Sequence, residues 1–179
     1  MEPEGRKRTL SRTGVRVLGE IYRPDAILSQ SAGRPPAALL VEDDPQVAAL
    51  TATWLRALGF EVIVSNDGHE AATLASRLTT PIDLLLADVM LPGLRGPVLA
   101  GAVRIRHPEV AVLFTSGFSP ELVSETFSSD AGIAHLLRKP YTADQLASSV
   151  RLALIRKAAS SHPKAVESDT KNRLDPIAR

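Results

Sequence analysis

The sequence predicts an α/β protein built on a doubly wound parallel sheet, on three observations. Short apolar runs alternate with amphipathic helical stretches, the pattern of strands covered by helices on both faces. The run Ile82-Asp83-Leu84-Leu85-Leu86-Ala87 is nearly continuous in apolar residues, as expected of a strand buried on both sides. The apolar runs stop at polar residues followed by turn signals, and the carboxyl ends of strands are where open α/β sheets place their ligands.

The elements follow in order. Ala37-Ala38-Leu39-Leu40-Val41 is the first strand and runs into Glu42-Asp43-Asp44-Pro45. Asp44 caps the first helix, with Pro45 at its first position, and Val47, Leu50, Trp54, Leu55 and Leu58 form its core-facing stripe. Trp54 is read as a core anchor toward the end of that helix far from the acidic cluster. Gly59 ends the helix, and Phe60-Glu61-Val62-Ile63-Val64 alternates as the second strand. Asp67 and Glu70 suggest a capping box for a helix with Ala71, Leu74, Ala75 and Leu78 inward, which Pro81 stops. The third strand ends at Asp88, before Val89-Met90-Leu91-Pro92-Gly93, and Asp83, at its opposite end, reads as a turn residue.

A third helix follows Gly96-Pro97, with Val98, Leu99, Ala102 and Val103 inward. Val110-Ala111-Val112-Leu113-Phe114 is the fourth strand and leads to Thr115-Ser116-Gly117. Ser119-Pro120-Glu121 opens a fourth helix, through about Phe127. Ile133-Ala134-His135-Leu136-Leu137-Arg138 is the fifth strand, with His135 packing in it, and ends at Lys139-Pro140. Thr142 and Gln145 open a fifth helix with Leu146, Val150 and Leu154 inward.

The strand ends thus carry carboxylates (Glu42, Asp43, Asp88), a hydroxyl (Thr115) and an ammonium (Lys139). An acidic pocket shared by two strands has two ordinary uses, binding a hard divalent cation and offering a carboxylate nucleophile. The two are compatible because the cation offsets carboxylate repulsion. Each residue also has a plainer reading: Glu42 and Asp43 as charges at a helix N-terminus, Thr115 as a satisfied strand-end hydroxyl, Lys139 as a solvated loop lysine.

In this combination the chain resembles the receiver domain of bacterial two-component response regulators, over roughly residues 36–157. Glu42 and Asp43 match the family's acidic pair, Asp88 its phosphoacceptor, Thr115 its switch hydroxyl, and Lys139-Pro140 its lysine and cis-proline bond. The spacing agrees, with 45 residues from Asp43 to Asp88, 27 to Thr115 and 24 to Lys139. The resemblance implies a flavodoxin-like (βα)5 fold of strand order 2-1-3-4-5 and Mg2+ as cofactor. It further implies Asp43, Asp88 and the Met90 backbone carbonyl as direct metal ligands, with Glu42 acting largely through water. Lys139 would meet the phosphoryl oxygens. The phosphodonor would be a histidine kinase or a histidine phosphotransfer protein, and the domain's own chemistry would be limited to self-phosphorylation and autodephosphorylation. One departure stands out: three positions before the lysine, where many receivers carry a switching aromatic residue, this chain has Leu136.

Composition sets the remaining bounds. In 179 residues with 44% apolar content there is room for one ordinary core, and the absence of cysteine excludes disulfides and thiolate metal sites. No run of apolar residues follows Arg6-Lys7-Arg8 as a secretory signal would require, and none is long enough to span a membrane, so a cytoplasmic protein without membrane insertion is expected. The net charge of +1 is uneven: −5 over residues 36–155, and +3 each over residues 1–35 and 156–179. Residues 1–35 are expected to be a basic flexible extension, with a short strand over Thr13-Gly14-Val15-Arg16-Val17, and residues 158–179 a polar disordered tail. The 22 residues after Lys157 are too few for an output domain, so the expected role is a stand-alone adaptor or relay with an unspecified protein target. The alternatives are a nucleic-acid-binding or transcriptional regulator using the basic ends, against which the lack of aromatic interleaving weighs, and a phosphate sink.

Overall fold

The computed structural model describes residues 33–117 and 136–160. Its elements are β1 (Ala37–Val41), α1 (Pro45–Ala57), β2 (Glu61–Ser65), α2 (Gly68–Arg77), β3 (Leu84–Asp88), α3 (Gly96–Arg106), β4 (Ala111–Ser116), β5 (Leu136–Arg138) and α4 (Ala143–Ser160). The strands form one five-stranded parallel sheet of order β2-β1-β3-β4-β5, the expected flavodoxin-like order. The strand expected over Thr13–Val17, the helix opening at Ser119, the packing of His135 and most of both basic ends lie outside the described residues.

Side chains alternate across a strand, and the two cores follow that alternation. Leu39, Val41, Leu85, Ala87, Val112 and Phe114 point to the face covered by α2 and α3, where they meet Ala71, Ala75, Leu99 and Val103. Ala38, Leu40, Leu84, Leu86, Leu113 and Leu137 point to the other, where α1 and α4 supply Ala52, Leu55, Leu146 and Val150. The central strands β1, β3 and β4 are buried along their whole length.

Two helix faces differ from the sequence expectation. On α1 the buried residues are Ala48, Thr51, Ala52 and Leu55, whereas Leu50 is 51% exposed and Trp54 half-buried. On α3 Leu99, Ala100 and Val103 are buried and Val98 is 57% exposed. The reason is steric: small residues let a helix axis approach the sheet closely, and turning Leu50 or Val98 inward would place a larger side chain at that contact.

The caps are well formed. Asp44 accepts hydrogen bonds from the N–H groups of Gln46 (2.8 Å) and Val47 (3.1 Å), and Asp67 from those of His69 (2.7 Å) and Glu70 (3.0 Å). The second half of the Asp67–Glu70 box is rerouted, because the Glu70 carboxylate accepts from Ser65 Oγ at 2.7 Å. Thr142 and Gln145 make the full reciprocal box.

Two polar residues far from the strand carboxyl ends hold the opposite side of the sheet. Asp83 is buried and is more than a turn residue: its carboxylate accepts from the Ala37 N–H (2.9 Å) and pairs with Arg34 (3.0 Å) and Lys157 (3.3 Å). Buried His107 accepts the Ile82 N–H at Nδ1 (3.2 Å), which fixes the Nε2–H tautomer that donates to the Ala75 carbonyl (2.9 Å).

Candidate functional site at the strand carboxyl ends

The alternation that builds the cores also builds the site. Glu42 continues the face of Ala38 and Leu40, Asp88 that of Leu84 and Leu86, Thr115 that of Ala111 and Leu113, and Lys139 that of Leu137. Register then sets the neighbours. Val41 pairs with Ala87, so Glu42 and Asp88 leave adjacent strands side by side, and Asp88 is the register partner of Thr115. The Lys139 N–H donates to the Ser116 carbonyl at 2.8 Å, which fixes where the lysine departs from the sheet.

Lys139 is the hub. Its ammonium lies 2.7 Å from Glu42 and 2.5 Å from Asp88 Oδ2, while Asp88 Oδ1 accepts the Met90 N–H at 2.9 Å. Glu42, Asp88 and Thr115 are buried, and Asp43 is exposed. Burial pushes the Glu42 carboxyl above its ordinary pKa, against the opposing hydrogen bond and charge of Lys139, and the Asp88 charge adds to the rise. Burial alone would lower Lys139; its hydrogen bonds and charge interactions with Asp88 and Glu42 outweigh it and raise the ammonium pKa instead. Lys139 is therefore firmly cationic, set among carboxylates that repel one another.

Oxygens of Glu42, Asp43 and Asp88 lie within 4.8 Å of one another, close enough to serve one ion. The donors are all hard oxygens, and three carboxylates sharing one ammonium leave excess negative charge, so the set fits a small hard divalent cation such as Mg2+. Met90, named in the sequence reading for its carbonyl, is held beside the cluster through its N–H bond to Asp88.

The loop that presents Asp88 is set by two glycines. Gly93 has φ +73°, a conformation that L side chains rarely adopt, and a Cβ there would approach His69 and Asp67. At Gly96 a Cβ would come 2.5 Å from the Asp88 carbonyl oxygen, so α3 starts directly against the end of β3 only because that residue is glycine.

All five strand-end side chains singled out from sequence lie at this end of the sheet, with Glu42, Asp43 and Asp88 clustered and Lys139 bound to Glu42 and Asp88. Leu136 packs with the α2/α3 core, on the sheet face opposite Lys139. Sequence reasoning missed Tyr141 and Thr51, whose hydroxyls meet at 2.9 Å across 90 residues of chain. The available signal was an aromatic hydroxyl two residues after Lys139 and a threonine inside a helix stripe.

Comparison with known proteins agrees with this geometry. The sequence model of the response regulator receiver domain matches residues 38–151. Sensor kinase CckA of Brucella abortus is 31% identical over 113 residues, covering 63% of this chain and 12% of that protein. Transcriptional regulatory protein CpxR of Escherichia coli K12 is 34% identical over 118 residues, covering 66% of this chain and 49% of CpxR. The chain thus spans about half or less of the length of these curated relatives. Among solved structures, the receiver domain of sensor histidine kinase PA1611 from Pseudomonas aeruginosa PAO1, described with a magnesium ion coordinated in its active-site cleft, matches with TM-score 0.59 and 26% identity, covering 68% of this chain and 98% of that one. The match over residues 38–151, joined to a parallel sheet of order 2-1-3-4-5 with acidic, hydroxyl and lysine side chains at its strand ends, makes this chain a member of the response regulator receiver domain family of two-component systems.

Proposed function

We propose that the chain is a phosphorylation-dependent receiver that accepts a phosphoryl group on Asp88 from a histidine kinase or histidine phosphotransfer protein. The observation that carries this reading is the bridging of Glu42 and Asp88 by Lys139. It puts a carboxylate nucleophile, Glu42 of the acidic pair and a cation for phosphoryl oxygens within one hydrogen-bond network, with an Asp43 oxygen close by. An Asp88 oxygen attacks phosphorus in line, the Asp88 O–P bond forms as the P–N bond of the phosphohistidine breaks, and the imidazole leaves with a proton. Lys139 then turns from the carboxylates to the transferred oxygens, and Thr115, beside Asp88 on β4, offers them a hydroxyl. Glu42, Asp43, Asp88 and the Met90 carbonyl are the groups that would hold Mg2+, which supplies charge neutralisation for the carboxylates and the incoming polyanion.

The same reading assigns residues 36–157 to the receiver unit, with self-phosphorylation and autodephosphorylation as its own chemistry and an adaptor or relay role in the cytoplasm. Among the described residues no helix is long and apolar enough to cross a membrane. A phosphotransfer profile tests the partner class: each histidine kinase of the host is loaded with labelled phosphate, then offered the chain in Mg2+. Rapid transfer from one kinase, absent in Asp88→Asn, is the expected result; no transfer from any kinase or phosphotransfer protein contradicts the reading.

A further inference from the structure

Thr51 is a buried hydroxyl on the inner face of α1, among Ala48, Ala52 and Leu55. Helical threonines commonly bond back to the carbonyl four residues earlier, as Thr53 does to Ala49 (2.8 Å) and Thr73 to His69 (2.9 Å). Thr51 instead meets the hydroxyl of Tyr141, 2.9 Å away. Tyr141 follows Lys139 by two residues, and its ring contacts Trp54 edge-on, with centroids 6.2 Å apart and planes at 61°. Beside the ion pairs of its ammonium, the segment carrying Lys139 is therefore held by the Ser116 carbonyl on β4 and, through Tyr141, by Thr51 on α1.

We propose that Tyr141 is a positioning residue for Lys139. Its hydroxyl, held by Thr51, ties the lysine segment to α1, so a shift of Lys139 toward a phosphoryl group on Asp88 is passed to α1 and the Trp54 ring. This inference rests on the receiver reading of Asp88 and Lys139. It supplies a mechanical link on the sheet face where Lys139 lies, whereas Leu136, on the opposite face, has neither an aromatic ring nor a hydroxyl. Tyr141 is in reach of the site's charges: burial raises its pKa, the Thr51 hydrogen bond opposes the rise, Glu42 and Asp88 raise it and Lys139 lowers it. The hydroxyl thus stays protonated at neutral pH and available for the bond to Thr51.

Trp54 is the only tryptophan in the chain, so its emission reports this contact without added labels. The full chain in Mg2+ is titrated with beryllofluoride, a phosphoryl mimic, while fluorine NMR follows the bound mimic and circular dichroism the fold. Wild type is expected to change its Trp54 emission on binding. Tyr141→Phe, which keeps the ring, and Thr51→Val, which keeps the shape, are expected to lose at least about half of that change at equal occupancy, with no further loss in the double variant. Thr51→Ser restores a hydroxyl and is expected to restore the response. A full emission change in both hydroxyl-deleted variants overturns the link, as does a wild type that binds the mimic without any change at Trp54. Wild type that shows no bound fluorine signal contradicts the receiver reading itself, and the fluorine spectrum distinguishes that failure from failure of the link.

Discussion

The Lys139 ammonium stands 2.5 Å from the Asp88 carboxylate, at the carboxyl end of the central strand. With Glu42 at 2.7 Å on its other side, the lysine acts as an internal counter-ion to the acidic cluster. A cation held by Glu42, Asp43 and Asp88 would compete with it for two of those carboxylates, Glu42 and Asp88.

Lys139→Ala should therefore bind Mg2+ more tightly than wild type, by about fivefold, because one positive charge no longer competes at contact distance. The same variant should lose the conformational response to beryllofluoride. Calorimetric titration with Mg2+ checks the first effect; affinity lower than wild type would show that the lysine supports the metal site.

Glu42 gives a pH signature. Burial raises its folded pKa above 4.5, so the ionised form costs more in the folded protein than in the unfolded chain. In metal-free buffer, wild type gains stability from this group as pH falls through the folded pKa toward 4.5. Glu42→Gln cannot titrate. It should be the more stable protein at pH 7, and its advantage in Tm should shrink as pH falls to 5. An advantage that grows over that range contradicts the assigned direction.

His107 tests the far side of the sheet. His107→Ala leaves the Ile82 N–H and the Ala75 carbonyl without their buried partner. Two such losses with the accompanying cavity should cost about 2–4 kcal/mol in urea unfolding. Mg2+ affinity should be unchanged, since the site lies at the other end of the strands.

On the receiver reading, in which the side chains two positions after the phosphoacceptor and two after the switch hydroxyl hold or block the attacking water, Met90 and Gly117 set the lifetime of the phosphorylated form. The Met90 side chain is 42% exposed and lacks a hydrogen-bond donor, and a Cβ at Gly117 would meet no atom of the described residues within 4 Å. Neither position offers a group to orient an attacking water, so dephosphorylation should be slow. Met90→Asn and Met90→Asn/Gly117→Glu should each lose phosphate faster than wild type, by roughly tenfold for the pair. Equal decay rates would mean that orientation is not limiting.

The legible parts of this molecule are those encoded by short-range pattern. Strand ends could be read because an apolar run stops abruptly at Glu42, Asp88 or Thr115, and a period of two places such residues on a definite face. Helix faces were less legible where apolar residues surround the helix. Around α1 Val47, Ala48, Ala49, Leu50, Ala52 and Leu55 are all apolar, and close packing on the sheet, which pattern does not reveal, chose the alanine side and left Leu50 outside. Bonds spanning many residues were invisible from sequence. Asp83 to Lys157, His107 to Ile82 and Thr51 to Tyr141 join residues 74, 25 and 90 positions apart, and only the folded topology brings them together.

Asp88 is the proposed phosphoacceptor, and its phosphorylation can be measured directly. The measurement is incubation of the full chain with acetyl phosphate and Mg2+, followed by intact mass and peptide mapping beside Asp88→Asn. One phosphoryl group per chain, mapped to Asp88, not formed when Mg2+ is chelated before acetyl phosphate is added and absent from the variant, is the predicted result. Phosphorylation of Asp88→Asn at the wild-type level, or a label mapped to Asp43 or Asp44, would contradict it.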